Sequence, residues 1–74
     1  MVWKYSSPIG DFFIKRMPDG SYCTEFDGTI LDCCNNPQAL ADNVYVQSTG
    51  CLKWDRLDTT WVHVPRSLDD WEVE

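Results

Sequence analysis

Histidine is almost missing from this chain: His63 is the only one. A zinc site would need His63 and cysteines from four separate elements to converge, and no pair of cysteines has the close spacing that sets two thiolates on one turn. A Cys–His nucleophilic pair has one candidate base and nothing that places it beside a thiol. Basic residues are scarce too: six lysines and arginines face twelve aspartates and glutamates, a net charge of −6. That balance argues against direct binding to a nucleic-acid backbone, which needs a positive patch, and against an anionic membrane surface. No run approaches the roughly 20 apolar residues of a membrane span. The opening Met1-Val2-Trp3-Lys4-Tyr5 lacks the charged-then-apolar pattern of a secretory leader, so a cytoplasmic location, or action inside a host cell, is expected. The glycines stand alone at Gly10, Gly20, Gly28 and Gly50, so no Gly-rich loop cradles phosphate. Asp55-Arg56-Leu57-Asp58 interrupts any calcium-loop pattern with a cation and an apolar residue. Asp69 and Asp70 would diverge by about 100° on a helix, and nothing marks a sheltered carboxylate pair.

What is present is aromatic. Four Trp, three Tyr and three Phe in 74 residues supply large buried areas at low entropic cost. Disorder is thereby excluded, and one domain over residues 1–74 is expected, near the lower size limit for a self-sufficient core. So small a body cannot hide all four indoles, and an exposed one becomes a candidate contact residue. The cysteines are Cys23, Cys33, Cys34 and Cys51. Adjacent Cys33 and Cys34 do not bond each other without strain. Bridges from them to Cys23 and Cys51 are formally open. Without an export signal, the expected state is reduced thiols packed as small hydrophobes.

Alternation and Asp-Gly turns predict a small antiparallel β-meander. Strands are expected near 2–6, 11–17, 21–26 and 29–33. Ser7-Pro8-Ile9-Gly10, Asp19-Gly20 and Asp27-Gly28 serve as the turns. Asn36-Pro37 signals a helix start, N-cap then first helical position, and a short helix is expected near 37–42. The β-branched run from Val44 to Ser48 reads as a strand, as do 51–54 and 60–64. Ser67 caps a helical turn near 67–72. The fold class is α+β, with one short helix covering a sheet.

Two-residue loops set an expected register. Asp19-Gly20 then pairs Met17 with Tyr22, Lys15 with Thr24 and Phe13 with Phe26. Asp27-Gly28 pairs Phe26 with Thr29 and Tyr22 with Cys33. The face predicted to meet the core carries Phe13, Lys15, Met17, Tyr22, Thr24, Phe26, Thr29, Leu31 and Cys33. Phe12, Ile14, Arg16, Cys23, Glu25, Ile30, Asp32 and Cys34 would face outward, with Arg16 and Glu25 as an exposed diagonal ion pair. A one-residue bulge would reverse that choice.

Tyr5-Ser6-Ser7-Pro8-Ile9-Gly10, Asp19-Gly20 and Phe26-Asp27-Gly28 together resemble the N-terminal hairpin region of methylated-DNA–protein cysteine methyltransferases. That family's reactive Pro-Cys-His-Arg motif is absent, so the resemblance transfers no activity and no site residue.

No catalytic machinery, cofactor site or metal site is read from these residues. The leading expectation is a small acidic interaction or regulatory module that binds a protein partner through exposed aromatics rimmed by acids. Trp61, Trp71, Asp69, Asp70 and Glu72 are the candidate surface. A nucleic-acid-mimicking inhibitor, such as a phage-encoded antagonist of a host protein, is one alternative. A thiol-based metal or redox protein is another. Open sheet edges would allow homodimerisation.

Overall fold

Turn chemistry builds the sheet. Strands β1 (Val2–Ser7), β2 (Gly10–Arg16), β3 (Tyr22–Phe26) and β4 (Thr29–Cys34) pair antiparallel in sequence order. The computed structural model describes all residues, 1–74. Helix α1 (Pro37–Tyr45), helix α2 (Leu52–Asp55), a 3-10 turn at Leu68–Asp70 and the two-residue strand β5 (Glu72–Val73) follow. β5 returns to the far side of β1, so the sheet order is β4-β3-β2-β1-β5. The α+β class, the four-strand meander and the C-terminal helical turn stand as expected.

The three tight turns are not alike. Ser7 pairs with Gly10; Gly10 has φ +137°, and a Cβ there would lie 3.1 Å from the Phe26 ring. Asp27 and Gly28 both take positive φ, 52° and 76°, which is the two-residue type I′ turn matched to strand twist. The middle turn differs from expectation. Met17 N–H donates to Ser21 O at 2.7 Å and Gly20 N–H to Met17 O at 3.0 Å. The loop is therefore the three residues Pro18-Asp19-Gly20, and Phe12 rather than Phe13 stands opposite Phe26. One extra loop residue turns β2 over, because side chains alternate with period two. Phe12 and Ile14 are fully buried, while Phe13 and Lys15 lie on the outer face. The expected inward set of Phe13, Lys15 and Met17 is corrected on that ground. Thr24 and Phe26 keep their expected inward places.

A second irregularity lies in β4. Glu25 stands opposite Ile30 but Thr24 opposite Asp32, so Leu31 is the extra residue of a bulge. This brings Cys33 opposite Cys23 instead of Tyr22. The two form a disulfide, and Cys34 and Cys51 remain free. The expectation of four reduced thiols is thus corrected. Glu25 pairs with Lys15 at 2.9 Å, not with Arg16.

One face of the sheet is covered and the other faces solvent, as antiparallel sheets allow. The covered face meets Leu40, Ala41 and Val44 of α1, together with Trp54, Leu68 and Trp71. Phe12 anchors the aromatic core, 4.6 Å from Phe26 and 5.2 Å from Trp54 between ring centroids. The open face carries the Lys4–Asp11 and Lys15–Glu25 ion pairs.

The expected strand at 44–48 is instead the end of α1 and its cap. Leu40 and Val44, four residues apart, share the buried stripe. Burial on that stripe outweighs the weak strand preference of Val44 and Val46. Ser48 N–H reaches Asn43 O at 2.9 Å and Gln47 N–H reaches Val44 O at 3.2 Å, the paired bonds of a Schellman cap. No strand forms at 51–54: Cys51 caps α2 and Leu52–Trp54 lie within it, which brings Trp54 into the core. Residues 60–64 are irregular: no strand forms there.

Candidate functional site

The C-terminal half is positioned by side chains of α1 and its cap. Asn36 Oδ1 accepts from Gln38 N at 3.0 Å, which starts the helix as expected. Gln38 Oε1 accepts the Leu68 N–H at 2.9 Å and so fixes the 3-10 turn. Beyond the other end, Gln47 adopts φ 58°, a conformation uncommon for a side chain with a Cβ. Its Nε2 donates to Trp54 O at 2.6 Å and Leu57 O at 2.7 Å, adding a second bond to the Trp54 carbonyl, which already accepts Leu57 N–H, and tying down the chain just past α2. Trp54 Nε1 donates to Val44 O at 2.9 Å. Asp55 accepts from Thr49 N, Thr49 Oγ1 and Gly50 N. Asp55 is thereby a structural acceptor rather than a solvated charge.

Between these anchors residues 58–66 wrap the end of α1. Asp58 accepts the Thr60 N–H at 3.0 Å and the Thr60 hydroxyl at 2.8 Å. These bonds hold its carboxyl below the ordinary carboxylate range. Tyr5 rises from β1 and donates its hydroxyl to His63 O at 3.2 Å. Burial pushes the Tyr5 phenol up from its usual value. Arg66 lies over the Tyr45 ring, 5.3 Å from its centroid, a cation–π placement.

The result is a groove of about 600 Å³ between α1 and this wrap. Tyr45, Val62 and Val64 supply apolar surface; Thr59, His63, Arg66 and Asp70 supply polar groups. Neither ion pair of the chain involves Arg66, His63 or Asp70. His63 and Asp70 line one concavity without forming a charged pair. No group of three or more His, Cys, Asp and Glu side chains is arranged to hold a metal ion. A smaller hollow of about 360 Å³ lies at the turn end of the sheet, where Asp11 is already paired with Lys4.

The candidate contact residues separate. Trp61 is 68% exposed. Asp69, Asp70 and Glu72 are exposed, and Asp70 joins Val62 and His63 in the groove. Trp71 is 4% exposed and belongs to the core, with its Nε1 unpaired. It is corrected from contact residue to core residue, because its ring lies 5.7 Å from Tyr5 beneath the wrap. Tyr45 and Arg66 are not legible as site residues in the sequence: Tyr45 falls within the expected strand at 44–48, and Arg66 lies between the expected strand at 60–64 and the Ser67 cap.

The exposed strand edge is modified. The Cys33 N–H donates to the Asp32 carboxylate at 2.8 Å, and Asn43 Nδ2 reaches the same carboxylate at 3.3 Å. No helix is long and apolar enough to cross a membrane. Compared with protein-family models, with curated proteins and with solved structures, the chain matches none.

Proposed function

We propose that this chain is a small acidic interaction module that binds a protein partner through Trp61 and the surface around it, without catalysis of its own. The observation that carries the reading is the distribution of the indoles. Trp54 and Trp71 are spent on the core and Trp3 packs against it, whereas Trp61 stands 68% exposed, next in sequence to Val62 of the larger groove. Exposed Trp with a polar rim is the composition of an interface centre. Asp70 lines that groove, and the exposed Asp58, Asp69 and Glu72 make the C-terminal segment acidic, which favours a partner with basic residues.

Mixed signs on the open sheet face, where Lys4 and Lys15 are each paired with an acid, favour this reading over nucleic-acid mimicry. The bulge at Leu31 and the Asp32 carboxylate blunt the β4 edge, which favours a side-chain surface over edge-to-edge dimerisation.

Affinity capture from the native source with the unaltered chain and with Trp61→Ala tests the proposal. A partner retained by the former and lost with the latter, at equal thermal stability, is the expected result. Identical captured sets would refute it.

A further inference from the structure

Arg66 and Asp70 point to a ligand that neither finds within the chain. They lie four residues apart in sequence, line the same groove and carry opposite charge, yet form no ion pair with each other. Lys4 and Lys15 each take an acid, whereas Arg16, Lys53, Arg56 and Arg66 take none; of these four, Arg66 alone lies over an aromatic ring. Arg66 is held in place by the Tyr45 ring instead, which leaves its guanidinium edge free to donate. Asp70 accepts no hydrogen bond from any side chain, and its backbone N–H is already used on Ser67 O. The groove thus carries one charge of each sign, unpaired with each other, together with apolar lining from Val62 and Val64.

A purely anionic ligand would meet Asp70 and the chain's net charge of −6. A purely cationic one would meet Arg66. A dipolar ligand satisfies both groups and leaves no charge facing its like. The groove is open to solvent on one side, and its volume, about 600 Å³, leaves room for a small molecule.

We propose that this groove binds a small zwitterion of the α-amino acid class. Its carboxylate lies on Arg66, its ammonium on Asp70, and an apolar side chain rests against Val62 and Val64. The proposal goes beyond the partner-binding reading, since it needs neither a protein partner nor Trp61.

Three probes that share one side chain and differ in which end is charged test it: leucine, N-acetyl-leucine and leucinamide. Amide-proton NMR titration of the full chain reads binding residue by residue. Leucine is expected to shift the resonances of Tyr45 and of residues 62–66. Blocking either charged end should weaken binding by about tenfold or more, the scale of one lost charge-assisted hydrogen bond. Arg66→Gln should weaken leucine binding and remove its advantage over leucinamide. Asp70→Asn should do the same relative to N-acetyl-leucine. Arg56→Gln, at an exposed arginine outside the groove, should change nothing.

Absence of groove shifts with leucine overturns the proposal. So does equal binding of the three probes, or binding that survives both groove variants in folded protein. Trp61→Ala should leave these titrations intact, so failure here and failure of the partner-capture experiment are separate results.

Discussion

The two halves of the molecule satisfy their backbone groups by different means. In the first, residues 2–34, strand ladders do the work, and side chains intervene mainly at turns such as Asp19-Ser21. In the second, beyond the end of α1, few backbone groups find regular partners. Gln47, Asp55, Asp58, Thr49 and Gln38 supply the missing acceptors and donors. A ladder tolerates the loss of a side chain because its bonds are backbone to backbone. A loop wrap held by side chains does not, because each bond disappears with the residue that makes it. The groove lies on the second kind of structure, and its shape depends on a handful of residues.

The two halves meet at Trp54, and its removal should have the largest effect. Trp54→Ala empties a fully buried site and removes the indole bond to the Val44 carbonyl, which keeps only its bond from Gln47 N–H. A cost of about 3–5 kcal/mol is comparable to the whole stability expected of a chain this small. Urea denaturation monitored by circular dichroism should show a chain that is largely unfolded without denaturant. A cooperative transition at the native midpoint would mean that the sheet half stands without the wrap.

Opening the Cys23–Cys33 bridge strikes the ladder half. The closed loop is short, with a sequence separation of 10, so reduction or a paired Cys23→Ala, Cys33→Ala change should cost about 2–3 kcal/mol. Hydrogen exchange should quicken in β3 and β4 first, with α2 and the wrap responding only through global unfolding. Intact mass with and without reductant, after alkylation, should count two free thiols and one bridge.

Gln47→Ala strikes the wrap half. It removes the donors to Trp54 O and Leu57 O and the acceptor for Thr59 Oγ1, while the positive φ remains. A loss of about 1–3 kcal/mol is expected. Gln47→Gly loses the same bonds but relieves the left-handed strain, so it should melt above Gln47→Ala. The reverse order would show that the side chain matters less than the backbone there.

The smallest effect compares one carboxylate from each half. Asp19 bonds the Ser21 hydroxyl and N–H, and Asp58 the Thr60 N–H and hydroxyl. These bonds lower both carboxyls from the ordinary 3.8. A lowered folded value means that the stabilisation is fully present above the unfolded value and is lost as pH falls through the folded one. Carboxyl-carbon NMR titration should place both midpoints below the ordinary carboxylate value. Asp19→Asn and Asp58→Asn should each remove that acid dependence. Since both groups are solvent-exposed, the change in melting temperature should be slight.

Local signals in the sequence determined the elements that local chemistry can decide. Asp27-Gly28 specifies a type I′ turn because both residues tolerate positive φ. Asn36-Pro37 and Ser67 mark helix starts because their side chains accept N–H groups within two residues. The four-strand meander follows from those turns and the alternation between them. Tertiary structure decided the rest. Whether Asp19-Gly20 closes a two- or a three-residue loop is a small local difference, but it determines which face of β2 is buried, and only packing against α1 distinguishes Phe12 from Phe13. Residues 44–48 and 51–54 carry alternation that suits a strand, yet Leu40, Val44 and Trp54 gain more by sharing one buried core. The pairing of Cys23 with Cys33 requires a bulge that no residue announces. The groove gathers Tyr45, Arg66 and Asp70 from elements whose approach depends on how the wrap is tied, which is a property of long-range contacts rather than of any short stretch of chain.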